Sequence, residues 1–132
     1  MDKEKLQRVK TDLKELKKTV HLINTMIRTR NEYLYRIKLL SSLHREKSRA
    51  EVRALIKALE LMNIEEQIER ANKTKEKYIS AIYALPLTDK AIAIDYFLNG
   101  TPAVKIALSL SYSEDGIRKR LPKIINQIAA LT

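Results

Sequence analysis

The five residues that most readily stop a helix, Pro86, Gly100, Pro102, Gly116 and Pro122, all lie at or after position 86. Residues 1–85 contain neither glycine nor proline. In a helix interior these residues cost about 1 and about 3 kcal/mol relative to alanine. The first two thirds of the chain instead use Lys, Glu, Leu, Arg and Ile, mostly good helix formers. The pattern predicts nearly continuous helix up to residue 85, followed by a shorter, punctuated segment.

The apolar spacing agrees. Leu6, Val9, Leu13, Leu16, Val20, Ile23 and Ile27 advance by three and four without a miss, and Leu34 and Ile37 resume the register after Arg30. Such a heptad seam must pack against something. A second seam runs through Leu61, Ile64, Ile68 and Ala71, skips at Lys75, and takes Tyr78, Ile82 and Leu85. Ser41 and Ser42 can end the first helix, and Ser48 with Glu51 forms a capping-box pattern that would start the next. The turn is therefore expected at about 42–48, with Asn63 and Glu66 as a rival break by the same logic. The expected shape is an antiparallel hairpin. The first seam (Leu6 to Ile27) and the leftover Leu22, Met26, Tyr33 and Leu40 are then the expected surfaces for self-association, a dimer being favoured.

Charge narrows the partners. The chain carries 26 Lys and Arg against 16 Asp and Glu, net +10, which favours an anionic partner such as nucleic acid. Residues 1–50 hold 14 cations and 6 anions, residues 51–85 hold 6 of each, and residues 86–132 hold 6 and 4. Around a long seam the N-terminal excess reads as a solvated exterior. The chain has no cysteine, so disulfides and thiolate metal sites are absent. His21 and His44 are too far apart to form a local ligand pair. No phosphate loop, metal-ligand cluster or nucleophile–base pair is visible, so neither an enzyme nor a cofactor is expected. Asp95 and Tyr96 read as a structural couple. No signal peptide or membrane span is expected, and the location implied is the cytoplasm.

The C-terminal segment reads as three short helices. Thr88 and Asp89 are expected to cap "KAIAIDYFL", which Asn99-Gly100 ends. Thr101 and Pro102 are expected at the N-cap and first position of "AVKIALSL". After Ser111-Tyr112, Ser113 caps a helix with Glu114 and Asp115 in its first turn, where the helix dipole favours anions. Ile117, Leu121, Ile124, Ile125 and Ile128 mark one face, and Arg118 and Lys119 fall opposite. Ala107 is small where two helices approach, and Ile106, Leu110, Tyr112, Ile117 and Leu121 are expected to be buried between them. A short helix, a tight turn and a basic amphipathic helix make a helix-turn-helix.

From Leu85-Pro86 through Asn99-Gly100, Ala107 and "LSYSEDGIRKRL", residues 85–121 resemble region four of bacterial sigma factors. Leu110, Ser113, Glu114, Ile117, Arg120 and Leu121 match that family's turn, cap and recognition-helix positions. The layout is also similar to phage late-transcription regulators of the ArpU-like and RinA-like kind, which join a helical N-terminal part to a sigma-like C-terminal part. Three residues depart from the pattern. Ser111 replaces the usual turn glycine and would carry a positive φ. Gly116 weakens the recognition helix. Pro122 removes the hydrogen bond to the Arg118 carbonyl and would kink the helix or mark a restart near Leu121.

The fold expected is all-α, with a long-helix hairpin or coiled coil over residues 1–85 and a three-helix, sigma-like helix-turn-helix domain over 86–132. The function expected is sequence-specific binding of double-stranded DNA by an oligomeric transcription regulator of phage or prophage origin in a bacterial host. Ser113, Glu114, Asp115, Arg118 and Lys119 are expected at base edges or flanking phosphates. Thr101, Lys105, Arg120 and Lys123 would mainly hold phosphates. RNA polymerase is a further candidate partner. The alternatives are a nucleoprotein assembly component such as a phage small terminase subunit, and a coiled-coil adaptor that binds RNA polymerase without touching DNA.

Overall fold

The absence of breakers before Pro86 is realised as three long helices. In a computed structural model describing residues 2–132, α1 spans Lys3–Ser41, α2 Glu46–Met62 and α3 Ile64–Tyr83. After Pro86 come α4 (Leu87–Ala93), continued by a π-helical turn over Ile94–Leu98, then α5 (Ala103–Leu110) and α6 (Glu114–Leu131). The chain is all-helical, with no strand among the described residues.

The breaks have local causes. α1 ends at Ser41, whose neighbour Ser42 turns its hydroxyl back to the Leu39 carbonyl at 2.6 Å. His44 then takes a left-handed conformation (φ 53°), and α2 begins at Glu46 after Arg45. The turn is thus shorter than the expected 42–48. Ser48 lies within the first turn of α2, buried, and does not cap it. The rival break is also real. Asn63 ends α2 with φ 51°, a conformation asparagine tolerates better than most residues. Its side-chain amide donates to Glu66 Oε2 at 2.6 Å, the reverse polarity of a capping box.

Two compact units divide the chain. One joins the residues up to Val20 with Thr74–Thr132, and the other is His21–Lys73. This differs from a division at residue 85, and the physical reason is burial. Val9, Leu13 and Leu16 of α1 and Tyr78, Ala81, Ile82 and Leu85 share one core with Ile92, Phe97, Ile106, Ile117, Ile124 and Ile128. Leu6 packs against its edge. Tyr78 is fully buried within this core, and its hydroxyl donates to Asp12 Oδ2 at 2.6 Å. Burial, then that carboxylate, raises the phenol's pKa above its ordinary value.

In the second unit Ile23 and Met26 of α1 bury with Ile64 and Ile68 of α3, flanked by Ile27, Leu59, Met62 and Ala71. Arg30 reaches Glu65 at 3.3 Å and Arg36 reaches Glu51 at 3.7 Å.

The first seam is therefore largely covered within the chain. Val9, Leu13, Leu16 and Ile23 are buried by intrachain partners, and Leu6, Val20 and Ile27 are partly buried. Periodicity reports that a stripe must pack, not which segment it packs on. Met26, expected as leftover surface, is also buried, whereas Leu22 stays exposed. Leu61 leaves the second seam, with 77 % of its surface exposed. The left-handed Asn63 resets the helical face, so Leu59 and Met62 fill the place instead.

Two equally apolar seam positions should then behave oppositely. Leu13→Ala should cost about 2–5 kcal/mol, the range for a leucine truncated in a closed core. Leu61→Ala should stay within about 0.5 kcal/mol of the parent, as exposed substitutions do. Urea unfolding followed by circular dichroism measures both.

Candidate nucleic-acid interface

α6 owes its position to its apolar side. Ile117, Ile124, Ile128 and Ala129 are buried, and Leu121 and Ile125 pack at the core's margin. The start of the helix is fixed by Ser113, whose Oγ accepts from the Gly116 N–H at 2.9 Å. The link from α5 is tight. Ser111 adopts the left-handed conformation expected of a residue replacing glycine (φ 60°), and the Tyr112 N–H bonds the Ala107 carbonyl at 2.9 Å. α5 presents Ala103, Ile106 and Ala107 to the same core. Helix α6 runs unbroken from Glu114 to Leu131 through Pro122, so no restart occurs near Leu121.

The opposite side of α6 carries the charges. Arg118 and Lys119 are exposed, each paired one turn back. Arg118 Nη2 meets Glu114 Oε1 at 2.7 Å, and Lys119 Nζ meets Asp115 Oδ2 at 3.0 Å. The hydrogen bonds Arg118 donates to Glu114, then that carboxylate's charge, raise the pKa of Arg118 above the usual arginine value. Ser113, Glu114, Asp115, Arg118, Lys119 and Lys123 are all exposed along this helix. Lys105 is exposed on α5, and Thr101 is half-buried just before it.

Arg120 departs from the expectation. It is half-buried and turned back onto its own protein. Its Nη1 lies 3.7 Å from Asp89 Oδ1 in α4 and 3.3 Å from the Tyr112 hydroxyl, and the guanidinium stacks 5.2 Å from the Tyr112 ring centroid. Asp89 is the largely covered partner, so this arginine ties α6 to α4 and to the preceding turn. Sequence reasoning missed the trio because Asp89 lies far upstream and was expected to cap α4. Tyr112 was expected to bury between α5 and α6; its ring is instead exposed and faces Arg120. The available signal was the lack of any acid after Asp115 near this cation.

Smaller shifts follow the same logic. α4 begins at Leu87 after Pro86, so Thr88 and Asp89 lie in its first turn and not before it. α5 is preceded by Pro102 as N-cap, one residue later than expected, and Thr101 makes no side-chain cap. Asn99 and Gly100 (φ 70°) end the preceding turn as expected. Asp95 accepts from the Asn99 amide at 3.2 Å, and Tyr96 packs edge-on to Phe97 at 5.1 Å between centroids.

Among the described residues no group of three His, Cys, Asp or Glu side chains could hold a metal, and no helix is long and apolar enough to cross a membrane. No family model, curated protein or solved structure matches the chain.

The two kinds of arginine on α6 should separate in stability. Arg120→Ala should destabilise by about 1 kcal/mol, combining a partly exposed ion pair with an aromatic stack. Arg120→Lys should recover little of this, because an ammonium lacks the planar fork. Arg118→Ala should leave the urea midpoint nearly unchanged, since its pair is exposed.

Proposed function

We propose that the protein is a sequence-specific DNA-binding regulator of transcription whose α5–α6 pair acts as a helix-turn-helix. The observation that carries this reading is the two-sidedness of α6. One side is anchored by Ile117, Ile124 and Ile128, and the other offers Arg118, Lys119 and Lys123 to solvent from a capped helix. A recognition helix needs this combination: a rigid back and a polar, basic front that fits the major groove. Arg118 and Lys119 suit guanine edges, and Ser113, Glu114 and Asp115 at the N-terminal end suit base edges or flanking phosphates. Lys123 and Lys105 suit the phosphate backbone. Arg120 is reassigned to holding the helix in place. The resemblance of residues 85–121 to sigma region four supports the same reading and makes RNA polymerase a partner worth testing.

The reading extends to self-association, with the surface moved. Leu34, Tyr35, Leu39, Leu43 and Ile56 are exposed in the second unit, whereas the Leu6–Ile27 seam is largely covered. A dimer through these residues would present two α6 helices to paired half-sites. Leu39→Glu combined with Ile56→Glu should reduce a dimeric solution mass to that of one chain in sedimentation equilibrium. A parent protein already of single-chain mass would remove the dimer from the reading.

The DNA contact itself is tested against sites selected from a random duplex pool. Arg118→Ala should weaken binding to the selected site by about 1–3 kcal/mol and relax preference at one base pair. Lys123→Ala should weaken all sequences alike and reduce the salt slope by about one unit. A folded Arg118→Ala/Lys119→Ala variant with unchanged affinity would remove α6 as the DNA-contacting surface.

A further inference from the structure

Lys14, Lys17 and Lys18 stand at i, i+3 and i+4 on α1, so their stems leave one side of the helix. They line a cleft of about 390 Å³ together with Tyr96, Gly100 and Thr101. Its opposite wall is made by the π-helical turn and the reversal after it. The Asn99 N–H bonds the Ile94 carbonyl at 3.0 Å, and the Thr101 N–H bonds the Asp95 carbonyl at 2.8 Å. The widened turn sends Phe97 into the core and leaves Tyr96 at the surface.

Gly100 makes room for one of the lysines. A Cβ placed there would lie 3.0 Å from Lys17 Nζ and 3.2 Å from its Cδ. The missing side chain therefore lets the Lys17 ammonium lie across the turn, next to Thr101. Lys18 has an exposed ion pair with Glu15 at 3.7 Å. Lys14 and Lys17 have no carboxylate within ion-pair distance among the described residues. The two unpaired ammonium groups, Lys14 and Lys17, repel each other on one cleft unless an anion joins them, and the exposed Lys18–Glu15 pair is weak enough to exchange for one.

We propose that Lys14, Lys17 and Lys18, with Thr101, hold backbone phosphates of duplex DNA beside the site read by α6. The inference rests on the DNA-binding reading and adds α1 to the interface. The first helix of a helix-turn-helix crosses the phosphate backbone, and Thr101 stands immediately ahead of α5 within the cleft. Lysines are hydrated point charges without the planar fork that reads a base edge, so they suit phosphate without sequence preference. The sequence alone assigned these cations to a solvated exterior. What changes their role is the return of residues 96–101 against α1.

The test uses the full chain and compares the salt dependence of duplex affinity in four variants, with urea unfolding to check that each is folded. Lys14→Ala/Lys17→Ala/Lys18→Ala should reduce the steepness of log K against log salt by about three units, at ~0.9 for each phosphate no longer neutralised. Its sequence preference should stay that of the parent. Replacing the same three lysines by arginine should keep the parent slope. Lys3→Ala/Lys5→Ala/Lys10→Ala removes equal charge outside the cleft and should leave the slope nearly intact. If this control falls as far as the cleft variant, net charge alone is responsible and the proposal is overturned. Arg118→Ala/Lys119→Ala separates the two readings. If it weakens binding while the cleft variant keeps the parent slope, the cleft fails and the DNA-binding reading stands. If the cleft variant loses slope while the α6 variant binds normally, the cleft stands and the assignment of α6 falls. If neither variant changes binding, both fall.

Discussion

Ile117, Ile124 and Ile128 of α6 are buried in the same core as Leu13 and Leu16 of α1 and Tyr78 and Ile82 of α3. Each such side chain contributes about 1.5–3 kcal/mol when removed from water, while an exposed ion pair contributes at most about 1. The position of every charged group on α6 is thus decided by the apolar side of the helix. The same core explains why α1 cannot be treated as a separate arm up to Val20. Its first turns form one wall of the unit that carries α5 and α6.

Two local costs are tolerated because of that anchoring. Ser111 is left-handed without being glycine, a conformation worth about 1–2 kcal/mol of strain in an ordinary residue. The hydrogen bond from Tyr112 to Ala107 and the Ser113 cap, itself worth about 1 kcal/mol, offset much of it. Pro122 removes one hydrogen bond from α6 and crowds the preceding turn. It is exposed, and Ile124 and Ile128 beyond it are buried. Packing on both sides of the proline keeps a single helix where propensity alone suggests a restart.

Much of this was legible in the chain. The absence of Gly and Pro before 86 foretold long helices, and the Ser113 cap, the Asn99-Gly100 stop and the buried stripe of α6 appear at the expected residues. These are signals within a few residues of one another, where helical period and capping chemistry act directly. The misses involve partners distant in sequence. Val9, Leu13 and Leu16 advertise a packing stripe, but nothing in their spacing names Ile117 or Ile124 as neighbours. Arg120 looked like its neighbours Arg118 and Lys119 because composition cannot show that Asp89 waits on another helix. Lys17 looked like solvated exterior because Gly100 is brought beside it only by folding. Both candidate breaks at 42–48 and at Asn63 proved real, because a capping pattern does not exclude a second one nearby.

The ion pairs on α6 bear on how a basic face could discriminate. Glu114 and Asp115 stand one turn before Arg118 and Lys119, so each exposed cation already has an anion at 3.0 Å or less. On the DNA-binding reading, a phosphate or base edge must compete with these carboxylates, and the carboxylates themselves repel phosphate. An exposed pair is weak enough, at about 1 kcal/mol or less, for a well-placed guanine contact to replace it. A poorly placed phosphate gains less, because it meets a nearly neutral surface there. Lys123 and the cleft lysines of α1 carry no partner of comparable closeness, so on the same reading the general attraction to the backbone would fall to them. The proposed DNA-binding function would thus assign attraction and selection to different parts of one compact unit: lysines that would hold any duplex, and paired cations that would exchange partners only when the sequence offers a better one.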